Sequence, residues 1–446
     1  MSLFNNSILS TFIKDVLSVG VSKILIIVFG LTTSIIVARV LGPEKNGVIA
    51  ALLVYPSLFM SIGSLGIRQS TTYFLGKKIF SEDQIKTAIT QIWLFTTVFS
   101  MAVCFVLMRY FSKSGENMWL VILALMPIPF ALFNTYNSGI FLGKNEIGTF
   151  NKINWIPTLI VFIISAILLL WFSFGISGYL IALIGGPVFI SVILLFKNKF
   201  IKAFSFDYDW LIIKKMLSLG LIYAVALLVI NLNYRIDIIL LDNLSTAFET
   251  GIYSKGVSIT EYLWQIPMLL STVVFARSAV SKNDKAFSIK VAQLLRLSFL
   301  AIGIMSLILF LLSKYIIILM YGDSFIGSVV VLNTLLPGVL LLTIFKVINM
   351  DLSGKGKPWV SLKAMIPALM INVVLNIVFI PKYGAVGAAL ASTISYSFAA
   401  LLFIYFYSKE TKISVLEIIR YRRSDFEPIV NVLLSLKKKT DSNDKI

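Results

Sequence analysis

The octapeptide GISGYLIA, Gly175 to Ala182, returns in the second half of the chain as GAVGAALA, Gly384 to Ala391. Other landmarks recur around it in the same order. KDVLSVG, Lys14 to Gly20, matches KKMLSLG, Lys214 to Gly220. Pro127 and Pro157 match Pro337 and Pro367 at the same spacing, and Gly143-Lys144 matches Gly354-Lys355. Both sets sit in chains of long apolar segments. A duplicated set of membrane spans is the signature of a transporter whose site lies between two half-molecules.

Composition points the same way. Hydrophobic residues make up 58% of the chain and charged ones only 13%, about half the charge of a soluble domain. A soluble enzyme with a large core is therefore excluded. The net charge of +18 does not indicate nucleic acid, because the basic residues follow membrane topology, as counted below. Histidine is absent, which removes the usual metal ligand and near-neutral acid–base group. The single cysteine, Cys104, allows no intrachain disulfide. No phosphate-binding Gly-x4-Gly-Lys-Ser/Thr loop occurs, so no cofactor is expected. Energy would then come from an ion gradient, the membrane potential or the substrate gradient.

A span needs about 20 mostly apolar residues. Twelve segments qualify: 16–38, 48–70, 87–108, 118–142, 153–173, 177–196, 215–241, 252–275, 290–312, 327–347, 361–380 and 385–407. Their unbroken apolar runs predict helices rather than a barrel. The first lacks a basic start and a cleavage site and is expected to stay in the mature protein. With the N-terminus inside, and with Arg68, Lys215, Lys290, Lys346 and Lys363 at the span ends counted with the cytoplasmic segments they adjoin, 29 of the 39 Lys and Arg are cytoplasmic, six lie in external loops and four lie deeper within spans. That bias places both ends in the cytoplasm. Six spans per half is even, so the halves insert alike and a membrane-normal pseudo-twofold is expected. The fold class expected is all-α: lobes at 1–200 and 201–407, then a basic cytoplasmic tail at 408–446 held near anionic headgroups.

Three stretches carry a resemblance: SGKGKPWVSLKAMIPALMINVVLNIVFIPKYGAVGAALASTIS from Ser353, ARVLGPEKNGVIAALLVYPSLFMSIGSLGIRQSTTYFLGKK from Ala38, and GIYSKGVSI from Gly251. Together they resemble the Wzx-type flippases of O-antigen and capsule assembly. These form the polysaccharide branch of the multidrug/oligosaccharidyl-lipid/polysaccharide exporter superfamily. The resemblance implies a MATE-like fold of twelve helices around a central cavity. It implies transfer of an undecaprenyl-pyrophosphate-linked oligosaccharide from the cytoplasmic to the outer leaflet of the bacterial inner membrane. The partners implied are that lipid-linked substrate and membrane lipids, with a polysaccharide polymerase and a chain-length regulator alongside. A multidrug or cation antiporter of the same superfamily is the alternative. A membrane glycosyltransferase fits less well, because no large external loop is present.

Ionisable residues within spans cost about 2.5–3.5 kcal/mol even on the milder insertion scales, and persist where they face water or a partner. Lys23, Arg235, Lys255 and Arg296 are four such cations. Arg296 lies near enough to a helix end to be expected to snorkel. On the seventh span, Asn231, Tyr234 and Arg235 share a face, with Asn233 and Asp237 opposite. On the eighth, Lys255, Ser258 and Tyr262 form a stripe. Cations beside hydroxyls and amides suit a diphosphate with attached sugar. Lys23, Asn231, Tyr234, Arg235, Lys255, Ser258 and Tyr262 are thus the candidate substrate-binding residues, with none expected to be catalytic or to bind metal. The competing reading pairs Arg235 or Lys255 with Asp237, Glu261 or Asp351 to hold helices together. Asn372 and Asn376, four apart, are expected to make interhelical hydrogen bonds.

Overall fold

The computed structural model of the protein describes residues 2–144, 146, 153–203, 209–265, 267–268, 274–275, 277–278, 281 and 283–427. All regular structure among them is helical. The longer helices are α1 (Ser2–Ile62), α2 (Ile67–Gly76), α3 (Glu82–Phe111), α4 (Met118–Leu125), α5 (Pro127–Gly143), α6 (Ile156–Ala166), α7 (Gly175–Lys197), α8 (Trp210–Leu244), α9 (Ala247–Leu263), α10 (Asp284–Tyr321), α11 (Gly327–Gly354) and α12 (Val360–Thr411). A short α13, Val415–Ile419, follows. Part of the eighth expected span and the tail lysines Lys437, Lys438 and Lys439 lie outside the described residues.

Among the described residues, eight helical stretches are long and apolar enough to cross a membrane. Large apolar side chains point outward along them: Phe95 is 69% exposed, Leu311 65% and Met370 65%. Such surface is a liability in water and a requirement in lipid. Polar caps mark where the chain leaves the apolar layer. Ser81 and Gln84 form a reciprocal capping box at the start of α3, and Asp209 accepts from the Leu211 and Ile212 amides at the start of α8.

Two of the longest helices are interrupted. α1 breaks at Gly42 (φ 72°, ψ 176°), just before Pro43, which is well placed at a helix start. Asn46 Nδ2 donates back to the Gly42 and Val37 carbonyls at 2.7 and 3.2 Å, satisfying groups the break would leave open. Arg39, one turn earlier, donates to the Leu319 and Met320 carbonyls at 2.7 and 3.1 Å, and so caps the end of α10. α12 breaks at Gly384 (φ 54°, ψ −130°), where Glu249 accepts from the Ala385 amide at 2.8 Å. Its repeat counterpart, Gly175, also has positive φ, 61°, and opens α7. The leading glycine of both octapeptides is therefore a backbone requirement, since L side chains rarely adopt that region.

The chain condenses into two compact units. One comprises residues 1–255, 317–328 and 376–388; the other 256–316, 329–375 and 389–446. In the first, Ile67, Phe74, Ile85, Ile89, Tyr136 and Phe200 belong to one buried cluster. In the second, Phe345 and Phe403 meet edge to face at 4.7 Å between centroids. Thr393 packs there so close to Gly338 that an added Cβ would lie 2.6 Å from its Cα.

Candidate functional site

Asp237 on α8 is fully buried in the first unit. Tyr253 Oη on α9 donates to its Oδ2 at 2.8 Å, and Asn376 Nδ2 on α12 donates to Oδ1 at 2.7 Å. Two neutral donors on other helices are thus among the partners of this carboxylate. Asn376 makes the interhelical bond expected of it. The sequence reading treats Asp237 only as a partner for a cation. Its signal was its helix face, opposite Arg235 and shared with Asn233.

Lys255 is 8% exposed. Its Nζ donates to Ser34 Oγ of α1 at 3.3 Å and lies 5.4 Å from the ring centroid of Tyr321, the last residue of α10. The Tyr321 hydroxyl is 3.5 Å from the same Ser34 Oγ. Asn231 reaches α1 elsewhere, donating to Ser61 Oγ at 2.9 Å and to its own helix at Leu227 O at 2.8 Å. Ser34 and Ser61 lie on opposite sides of the Gly42 break. Tyr234 and Arg235 on α8 and Lys23 on α1 are half-buried in the first unit. The division between the units falls just after Lys255, so the half-buried Ser258 and Tyr262 belong to the second.

Arg296 corrects one expectation. It does not snorkel: it is 5% exposed. Its Nε and Nη2 grip the Asp425 carboxylate at 2.7 and 2.6 Å, and Nη1 donates to the Ile418 carbonyl at 2.9 Å. The partner lies 129 residues away, in the C-terminal segment. Nothing about the local helix pattern announces it.

Asp351 is likewise spoken for. It accepts from Ser278, Ser288 and Tyr407 hydroxyls at 2.6, 2.6 and 2.7 Å, and its cation is Lys355 at 3.0 Å, not Arg235 or Lys255. Lys355 follows Gly354. In the first half the matching Lys144, after Gly143, pairs with Glu82 at 2.6 Å. The repeated Gly-Lys thus ends a helix on an ion pair in both halves. Among the described residues, no group of three acidic or cysteine side chains gathers as a metal site would.

A profile of the polysaccharide biosynthesis protein family matches residues 36–330. The chain belongs to that family. One curated relative is a putative O-antigen transporter of Shigella flexneri, 24% identical over 392 residues, covering 83% of this chain and 92% of the relative. Two solved structures share the family member's fold. A multidrug resistance MATE family transporter of the MOP superfamily, inward-facing, aligns with a TM-score of 0.72 at 14% identity, over 87% of this chain and 94% of that one. The lipid II flippase MurJ, in an inward closed conformation, aligns with a TM-score of 0.71 at 16% identity, over 94% and 96%. The family member is a multi-pass, all-helical membrane protein.

Proposed function

We propose that this protein flips an undecaprenyl-pyrophosphate-linked oligosaccharide, an O-antigen or capsule repeat unit, from the cytoplasmic to the outer leaflet of the inner membrane. The observation that carries the reading is the near full-length likeness to a putative O-antigen transporter. The substrate has a charged head and must cross with its sugars screened from lipid. Lys23, Arg235 and Lys255 would neutralise the diphosphate, with Asn231, Tyr234, Ser258 and Tyr262 meeting hydroxyls. Asp237, an acid buried within a span, is the group best placed to couple the cycle to an ion gradient.

Twelve passes with both ends inside remain our reading of the topology. The apolar stretch Gly20–Ser61 has 42 residues, about 63 Å of helix, or twice a hydrocarbon core of about 30 Å. Val360–Thr411, with 52 residues, is likewise long enough for two passes. The breaks at Gly42 and Gly384 sit where each chain would turn. The membrane-normal pseudo-twofold and an association with polymerase and chain-length regulator belong to the same proposal.

Asp237 also favours one other reading. A buried carboxylate is what an antiporter of cationic drugs would use. Deleting the gene separates the two. A flippase deletion loses a surface polysaccharide and accumulates its lipid-linked unit. Intact surface glycans with new sensitivity to cationic dyes would establish the antiporter instead.

A further inference from the structure

The C-terminal segment is folded back onto α10. Besides the Arg296 grip on Asp425 and Ile418, Gln293 Nε2 donates to the Ser424 carbonyl at 3.0 Å, and Tyr421 Oη donates to the Arg296 carbonyl at 3.1 Å. Ile413 and Ile418 are buried beneath it, 1% and 0% exposed. This clamp fixes what the segment shows outward. Leu416 and Ile419, three apart and so on one side of α13, are 64% and 45% exposed, and Tyr421 is 44% exposed. Lys412, Arg420, Arg422 and Arg423 stand exposed around them.

Most nearby acids are already committed. Glu410 pairs with Lys357 at 2.8 Å, Glu417 with Arg422 at 3.3 Å and Asp425 with Arg296. Lys412, Arg420 and Arg423 have no carboxylate partner among the described residues. The adjoining ends of α12 carry aromatic–lysine pairs, Lys363 at 4.5 Å over Trp359 and Lys409 at 4.6 Å over Tyr405. Aromatic rings and lysines concentrate at the boundary between lipid and water. The segment therefore leaves α12 at headgroup level, not in bulk solvent.

We propose that residues 412–423 are a built anchor for anionic phospholipid. Leu416, Ile419 and Tyr421 enter the edge of the acyl layer, while Lys412, Arg420 and Arg423 meet lipid phosphates. Neither part suffices alone: one short apolar turn binds weakly, and a free basic tail loses entropy on binding. The Arg296–Asp425 clamp presents both together and removes that loss. The inference does not depend on what the membrane bundle transports.

Cys104 is the chain's only cysteine, which makes the test direct. The full chain carrying Cys104→Ser and Leu416→Cys is spin-labelled and reconstituted in phosphatidylcholine vesicles, with and without phosphatidylglycerol. Collision of the label with oxygen, which favours lipid, is compared with collision with a nickel chelate, which favours water. With phosphatidylglycerol, the label should be oxygen-rich and nickel-poor. Replacing Lys412, Arg420 and Arg423 by alanine, all exposed and so harmless to folding, should lower the oxygen-to-nickel ratio several-fold. Asp425→Asn, which frees the segment, should lower it too. A nickel-accessible label in both lipids would mean a solvated tail and overturn the proposal. A ratio indifferent to phosphatidylglycerol and to the triple variant would overturn the anion site.

Discussion

Asp237 is an acid that water cannot reach, so its hydrogen-bond donors must replace hydration. Tyr253 and Asn376 do so from separate helices. Removing a donor should cost more than altering the acceptor. Asn376→Leu is expected to destabilise by about 1–3 kcal/mol, read as a lower melting temperature in detergent. Asp237→Asn keeps size and one acceptor, so melting should change little. Gradient-driven transport should nevertheless be lost if the carboxylate couples the ion. Arg235 sits on the opposite helix face, and there charge should outrank shape. Arg235→Lys should keep partial transport, because lysine retains the cation but loses the planar fork. Arg235→Ala and Arg235→Glu should abolish transport at normal membrane levels. Normal transport by well-expressed Arg235→Ala would remove it from the site.

The Arg296–Asp425 pair gives a prediction of another kind. The Arg296 hydrogen bond, outweighing burial, holds the Asp425 carboxyl below its ordinary value. A depressed acid stabilises fully above its unfolded pKa, and the benefit is lost as pH falls through the folded one. The clamp should therefore hold at neutral pH and open only below about pH 4, the ordinary Asp range. Amide protection across 413–427, taken relative to the intrinsic exchange rate at each pH and followed from pH 7 downward, should fall there. Asp425→Asn should show low protection at every pH. Protection in the unmodified chain that stays high well below pH 3 would contradict this.

Between helices, glycine decides contact. A Cβ on Gly47 would strike the Ala247 carbonyl, and one on Gly251 would strike the Pro43 carbonyl, so α1 and α9 touch backbone to backbone. Gly66 and Gly220 meet in the same reciprocal way between the start of α2 and α8. Gly303, inside α10, has only Leu340 Cδ1 at 3.9 Å. Gly251→Ala should therefore lower the melting temperature markedly. Gly303→Ala should leave it unchanged or raise it slightly, since alanine favours a helix interior by about 0.5–1 kcal/mol over glycine. Equal effects at the two sites would contradict the close crossing.

Helix limits were legible because an apolar run long enough to span is a local property. The expected span 118–142 falls within the apolar stretch Met118–Gly143, which α4 and α5 share, and 177–196 within Gly175–Lys197. The break after Ile62 was not legible. It uses positive φ at Leu65 as well as Gly66, and leucine gives no warning of that. The octapeptide repeat was legible and proves to mark a shared positive-φ glycine at Gly175 and Gly384. What sequence could not show were bonds between distant residues. Asp425 to Arg296 and Tyr407 to Asp351 leave no periodic trace, and neither do the bonds that Tyr253 and Asn376 make to Asp237.

For the whole molecule, the topology we propose is twelve passes with both ends inside, supported by the loop charge bias and the long broken helices. Alkaline phosphatase should be active when fused at Glu116 and inactive when fused at Asp441. An active Asp441 fusion would break the topology and, with it, the assignment of inner and outer ends. The central claim is that this bundle moves a diphosphate-linked glycan between leaflets. The most direct measurement uses purified protein in vesicles carrying a polyprenyl-diphosphate oligosaccharide in the inner leaflet only. Impermeant periodate added outside oxidises whatever sugar arrives there. Sugar should become oxidisable with time in vesicles holding the protein, and much more slowly with Arg235→Ala. If oxidation is no faster than in protein-free vesicles under any imposed gradient, while a cationic dye is moved, the protein is not a flippase of this class.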